Sequence, residues 1–376
     1  MLILLVACTL WGADPSAPPV GPESGMANFA AGPDGTIYLS WIDPLGPEGH
    51  ALKFAKWTGQ RWTPAEEIAR GKRWLVNWAD FPAVAVSPDG TIFAHWLTRP
   101  DDAGKYGYGI RVARREGPGK WKEIFGKNLD EKEDYAGFLS FVPDASGALY
   151  LAPPPEGGGP EGHRKTLRYI AFDAKGQPSG DREIDSDVCS CCQTAVVKTP
   201  DGLLAAYRDH QPGEIRDIAV IRLTVGKWSA PRTANPDGWK INGCPTDGPA
   251  MVSNGKHVSL AWLTRAQDQP RIQLIESSTG GATFGPPVRV DEGNPLGRPG
   301  LAADVIVWLE KTPDGKAEVR MKRYAPGGKF GKTIRVAAVP GGRLPGLPKV
   351  AVVGGQILVA WRDGRVQVAV FKRSDL

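Results

Sequence analysis

Four of the five cysteines of this 376-residue chain fall in one stretch, as Cys189, Cys191, Cys192 and Cys244. Thiols at this C-x-C-C spacing support two chemistries. In an oxidising compartment they pair as disulfides. Adjacent Cys191 and Cys192 would close a strained ring, so a bridge from the run to Cys244 is the expected form, although several pairings stay open. As thiolates, the same residues would hold a soft ion, copper(I) or zinc. Read as extended strand, the run sends Cys189 and Cys191 to one side and Cys192 to the other.

The same stretch carries Asp209, Glu214 and Asp217. Such carboxylates could supply an acid and a nucleophile or base for glycoside cleavage. The competing role is structural: Arg208–Asp209 and Arg216–Asp217 read as paired charges that fix a loop, and Arg362–Asp363 repeats the pairing. Candidate ligand-binding residues are Arg208, Arg216, Trp239, Lys240, Arg265, Arg298 and Arg362, with Arg343 beside them. Their cations suit an anionic sugar or carboxylate. Trp74 and Trp78 could stack on a sugar ring or plug a channel mouth. The five histidines show no metal-site spacing.

These residues need a frame, and the sequence supplies one by repetition. A glycine turn, an alternating apolar strand and an aromatic recur as PDGTIYLSW ending at Trp41 and PDGTIFAHW at Trp96. Further copies end near Ala152, at Tyr207, Trp262, Trp308 and Trp361, with spacings of 55, 56, 55, 55, 46 and 53 residues. A third strand follows each, from LKFAKW to VQVAVF, and usually a fourth. This is the period of a β-propeller with four strands per blade. Seven blades are expected, with six as the alternative. The last copy lacks a fourth strand. Residues 16–23 resemble the fourth strands of other copies, so the N-terminal segment is expected to complete blade seven beside Val366–Phe371 and close the ring. Tyr207 takes the slot filled elsewhere by Trp and is expected in the core.

In a propeller, the loops joining second to third strands share a face with the loops that enter each blade. The cysteine run enters blade four, residues 208–217 join its second and third strands, and residues 239–247 enter blade five. All three should therefore meet on one face.

Composition narrows the class. The net charge is +5, and no Lys/Arg run is long enough to suggest nucleic-acid binding. The opening MLILLVACTLWGA reads as an export signal over residues 1–13, in either a clipped form or a lipoprotein form with a lipid on Cys8. The expected location is periplasmic or cell-surface, with residues 14–376 as a single propeller, monomeric.

Ser277–Phe284 reads SSTGGATF and resembles the Asp-box turn of bacterial sialidases, with Thr279 in place of the Asp. The chain as a whole resembles exported bacterial sialidase-like (BNR-repeat) propellers. It is most similar to a branch with a C-x-C-C-Q-T-A run, a Y-R-D, an I-R-D-I and a W-K-I-x-G-C-P-x-x-G-P, here Cys189–Ala195, Tyr207–Asp209, Ile215–Ile218 and Trp239–Pro249. Members are often named exo-alpha-sialidase by fold alone. Sialidases begin with an arginine-bearing F-R-I-P-like run, which is absent here, and their Tyr nucleophile has no match. The resemblance implies a propeller that binds a glycan at its loop-rich face and would hydrolyse it if the carboxylates served as catalysts. The alternatives are a non-enzymatic propeller with copper or zinc at its cysteines, or one that docks a protein.

Overall fold

A computed structural model describes residues 17–155, 157, 164–173, 175–342 and 346–376. The export segment, Cys8 and Arg343 lie outside the described residues. The chain forms seven antiparallel sheets, each built from consecutive strands: a seven-bladed β-propeller. Blade one comprises Gly25–Ala31, Ile37–Pro44, His50–Trp57 and Glu66–Gly71, paired in that order. Blades two, three and five repeat this order, while in blades four and six the outer strand is split into two short pieces.

The second strands explain why the pattern was legible. Each is flanked by strands on both edges and by neighbouring blades on both faces, so its side chains are apolar almost throughout. Ile37–Asp43 is buried at every position, and Trp41, Trp262 and Trp308 are fully buried. Each of these indoles donates to a carboxylate: Trp41 to Asp43 (2.9 Å), Trp262 to Asp237 (2.6 Å) and Trp308 to Glu310 (2.6 Å). A buried indole N–H without an acceptor would be costly, so these carboxylates are part of the packing. Tyr207 is buried as expected and donates to Asp185. In the P-D-G turns, Asp34 and Asp89 accept the N–H groups of Thr36 and Thr91, while Gly35 and Gly90 supply the positive φ.

The ring does not close as the sequence suggested. Among the described residues, blade seven has three strands, Lys349–Val353, Gln356–Asp363 and Arg365–Lys372, and residues 17–23 form no strand beside them. Two proline-rich segments that look alike carry no ladder pattern, so their likeness does not dictate pairing. The N-terminal segment instead caps the seam between blades seven and one. Gly21 N–H donates to Asp43 (3.0 Å), and the fully buried Ser24 accepts from Val366 N–H (3.0 Å) and Arg362 Nε (3.2 Å). Side chains then close the ring: Trp41, Trp57, Leu358 and Val366 share one apolar cluster, and Trp57 Nε1 donates to Gln356 (2.9 Å).

Candidate functional site

The three loops meet as the topology requires. The cysteine run follows the outer strand Pro178–Val188 of blade three and precedes Ala195–Thr199 of blade four. It is not an extended strand, because Ser190 and Cys191 form a turn. The expected alternation is thereby lost, and all three sulfurs converge. Cys189 Sγ lies 3.9 Å from Cys191 Sγ and 3.4 Å from Cys192 Sγ, and all three residues are buried. Cys244 is exposed on the loop entering blade five, with its thiol in contact with Cys191. These four cysteines form no disulfide, which departs from the expected bridge to Cys244.

Backbone and amide contacts lock the loops together. Cys189 N–H donates to Arg208 O (3.1 Å). Gln193 is the hub: its amide nitrogen donates to Ala79 O in the loop entering blade two, and its amide oxygen accepts Gly248 N–H (2.9 Å). Gly248 has to be glycine, since a Cβ there would stand 1.9 Å from Gln193 O. Gly248→Ala should cost roughly 3 kcal/mol, the upper end for overpacking because backbone must move. Urea unfolding would measure it.

The electrostatics follow from this crowding. Hydrogen bonds from Cys191 and Cys192 hold the Cys189 thiol well below its ordinary range, helped by Arg216. The bond to Cys189 pushes Cys191 well above its range, and burial does the same to Cys192. Arg216 binds Glu214 (2.7 Å), whose other oxygen lies 3.4 Å from His210 Nε2, and His210 Nδ1 lies 2.9 Å from Asp187. A continuous polar chain therefore runs Asp187–His210–Glu214–Arg216–Cys189.

Several residues expected to bind ligand are braces instead. Arg208 is 1% exposed and donates to the carbonyls of Asp247 (2.7 and 3.0 Å), Leu263 (2.8 Å) and Arg216 (2.5 Å). Its guanidinium lies 4.6 Å from the ring centre of buried Trp239. Arg362 holds Ser24, as above. Trp74 is buried and stacks on Trp96 (5.9 Å), so it is core. Lys240 is exposed, and Arg265 is half-buried in the second-to-third loop of blade five.

The three carboxylates differ sharply. Asp217 is buried and accepts Gly238 N–H (2.9 Å) and Trp239 N–H (3.0 Å), which is a loop clamp. Asp209 accepts from His210 N–H and Gln211 (2.9 and 3.1 Å), and burial raises its pKa. Glu214 is lowered, chiefly by Arg216. None of the three lines the central channel.

That channel holds a cavity of about 340 Å³ lined by the first strands of all seven blades. Arg298 and Lys349 line it together with the buried carboxyl of Asp80. Arg298 Nε donates to Pro249 O (2.8 Å), and Lys349 lies over the Phe81 ring (3.5 Å). No described carboxylate lies within salt-bridge distance of either cation, while Cys192 and the buried Asp247 act electrostatically on Arg298 from farther away. Burial lowers the pKa of both, Arg298 to about 10, and for Lys349 the proximity of Arg298 adds to the shift. Burial pushes Asp80 up to about 7, against hydrogen bonds from Phe138 N–H (2.9 Å) and Tyr108 OH (3.4 Å). Arg298 was legible as a candidate, but Lys349 and Asp80 were not singled out.

The Ser277–Phe284 turn lies between the third and fourth strands of blade five. Ser277 Oγ accepts the N–H groups of Thr279 (3.1 Å) and Gly281 (2.9 Å). Thr279 Oγ1 accepts Thr283 N–H (2.9 Å), so a hydroxyl can hold this turn without the carboxylate.

No family model matches the chain, and no curated protein matches it. Among solved structures, an ulvan lyase of the polysaccharide lyases is similar at TM-score 0.55 and 12% identity, over 95% of this chain and 96% of that one. A puromycin hydrolase is similar at TM-score 0.54 and 15% identity, over 91% of this chain and 53% of that one. A Hadza microbial sialidase is similar at TM-score 0.49 and 12% identity, over 94% of this chain and 66% of that one. The chain thus spans two thirds or less of the last two. At such identities the likeness concerns the fold alone.

Proposed function

We propose that this protein is an exported propeller that binds a carboxylated, anionic sugar in the mouth of its central channel. One observation carries the reading: Arg298 and Lys349 line one cavity together, and neither forms a salt bridge with a described carboxylate, the buried Asp247 acting on Arg298 only from a longer distance. Two like charges brought together out of bulk water are costly unless something of opposite sign joins them. The volume of about 340 Å³ suits one or two sugar rings. Phe81, Phe138 and Phe141 supply apolar walls. The ulvan lyase with this fold is described as bound to -[GlcA(1-4)Rha3S]-, an anionic saccharide.

The reading is binding rather than hydrolysis. The carboxylates at 209, 214 and 217 lie away from the cavity, and Asp80 is the single carboxyl among its described lining residues. The test is calorimetry with glucuronate- and galacturonate-containing oligosaccharides against their neutral glucose and galactose counterparts. Binding of the uronates alone is the expected result. Equal binding of neutral and charged sugars would overturn the anionic claim, and binding of neither would overturn the reading.

A further inference from the structure

The cysteine centre shares only the nearby Arg298 with that reading, and its sulfur geometry stands independently. We propose that Cys189, Cys191 and Cys192 form a metal site for one thiophilic d10 cation, copper(I) or zinc(II), with Cys244 at its exposed side. The three sulfurs lie within 4.8 Å of one another, with two of the separations at 3.4 and 3.9 Å. Sulfurs bound at about 2.3 Å to one ion stand about 3.8 Å apart in a tetrahedron and about 4.0 Å apart in a trigonal plane. The 3.4 and 3.9 Å separations differ from these values by only a few tenths of an ångström, and the third, within 4.8 Å, by no more than about 1 Å.

The surroundings suit a cluster of negative charge. Arg216 lies against Cys189, and its buried Nε has no hydrogen-bonding oxygen or nitrogen among the described residues. Arg208 spends its donors on carbonyls, so its charge is not neutralised by a carboxylate bond, and it acts electrostatically on Cys192. Arg298 also lies within electrostatic reach of Cys192. Cationic surroundings of this kind offset the excess charge of a tris-thiolate complex. The site is shielded too: Tyr135, stacked on Tyr108 at 4.6 Å, donates its hydroxyl to Ser190 O. Such contacts orient the ligand loop as outer-shell partners do in metal sites. In an exported protein, bound metal would also keep the thiols from oxidising.

The closed, all-sulfur donor set points to metal held for structure or storage. Water-activating zinc sites are built with mixed ligands and an open position.

The full chain, reduced and stripped of metal without oxygen, would be titrated with copper(I) and separately with zinc(II) against chromophoric chelators, with X-ray absorption on each product. One ion per chain with at least three sulfur neighbours is expected, and the tighter of the two arms names the ion. Cys189→Ser and Cys192→Ser should each weaken binding at least 100-fold, and Cys244→Ser less. Circular dichroism would confirm that the variants stay folded. Thiol counting on the unfolded, unreduced, chelated protein supplies an independent readout, with all four of these thiols expected free. Binding no tighter than micromolar in both arms, affinity unchanged in both buried-cysteine variants, or zero or two free thiols would each overturn the site. None of these readouts involves sugar binding, so either proposal can fail alone.

Discussion

Lys349→Met is expected to weaken binding of uronates about 100-fold while raising the stability of the empty protein. The ammonium lines the channel beside Arg298, and both burial and that neighbour depress its pKa well below the usual lysine range. A group lowered in this way gives stability that is present above its unfolded pKa and is lost as pH falls through its folded pKa. Met keeps the stem packed over Phe81 and removes that loss. The melting temperature at neutral pH should rise by about 1 °C, which corresponds to about 1 kcal/mol in a chain of this size. Uronate affinity should fall about 100-fold, since a charge-assisted hydrogen bond contributes about 1.5–3 kcal/mol. Asp80 titrates in the opposite sense. Its folded pKa, about 7, lies above its unfolded value. Its contribution is complete below the unfolded pKa and is lost as pH rises through about 7. Thermal melts from pH 5 to pH 9 should therefore lose, in Asp80→Asn, the decline seen as pH rises towards about 7 and, in Lys349→Met, the decline seen as pH falls from the ordinary lysine range. Unchanged melts and unchanged affinity in Lys349→Met would remove the channel from the account.

Arg208→Ala is expected to be the most destabilising single change on the ligand face, at about 3–5 kcal/mol. It would leave the carbonyls of Asp247, Leu263 and Arg216 without their donor and would remove the cation packed on Trp239. Arg208→Lys should recover little, because a point charge cannot serve three carbonyls from one planar fork. Urea unfolding measures the total. Hydrogen exchange should place the loss in residues 189–195, 209–217 and 239–249, with blades one, six and seven unchanged. A loss spread evenly around the ring would show that Arg208 is ordinary core.

The parts of the molecule that repeat were legible, and the parts that do not repeat were not. The aromatic at the end of each second strand fixed the blade count, because burial on both faces forces an apolar run that cannot be mistaken. The meeting of the cysteine, 208–217 and 239–247 loops followed from topology alone. The direction of each cysteine did not, since alternation holds only in a strand and Ser190–Cys191 turns. Ring closure was misread because short proline-rich segments look alike without sharing a ladder. Arg208 and Asp217 looked functional because charged pairs in a loop suit either a ligand or a brace; their carbonyl and N–H partners identify the brace. Lys349 did leave a signal. It opens the first strand of blade seven, KVAVV, where blades one to six open with Gly or Ala. A lone cation at the rim of an apolar inner strand faces the channel, and only the shared inner ring of strands reveals that Arg298 faces it too.

The central claim is that the channel mouth is an anion site, and isothermal titration of a glucuronate-containing disaccharide tests it most directly. Experiments on wild type would be run at several pH values and in buffers of differing ionisation enthalpy. The account predicts a one-to-one complex that takes up protons on binding. An anion beside Lys349 raises its pKa, so affinity should weaken as pH rises through the range where the empty channel releases that proton. One-to-one binding that is independent of pH, or equally tight to the neutral disaccharide, would contradict it.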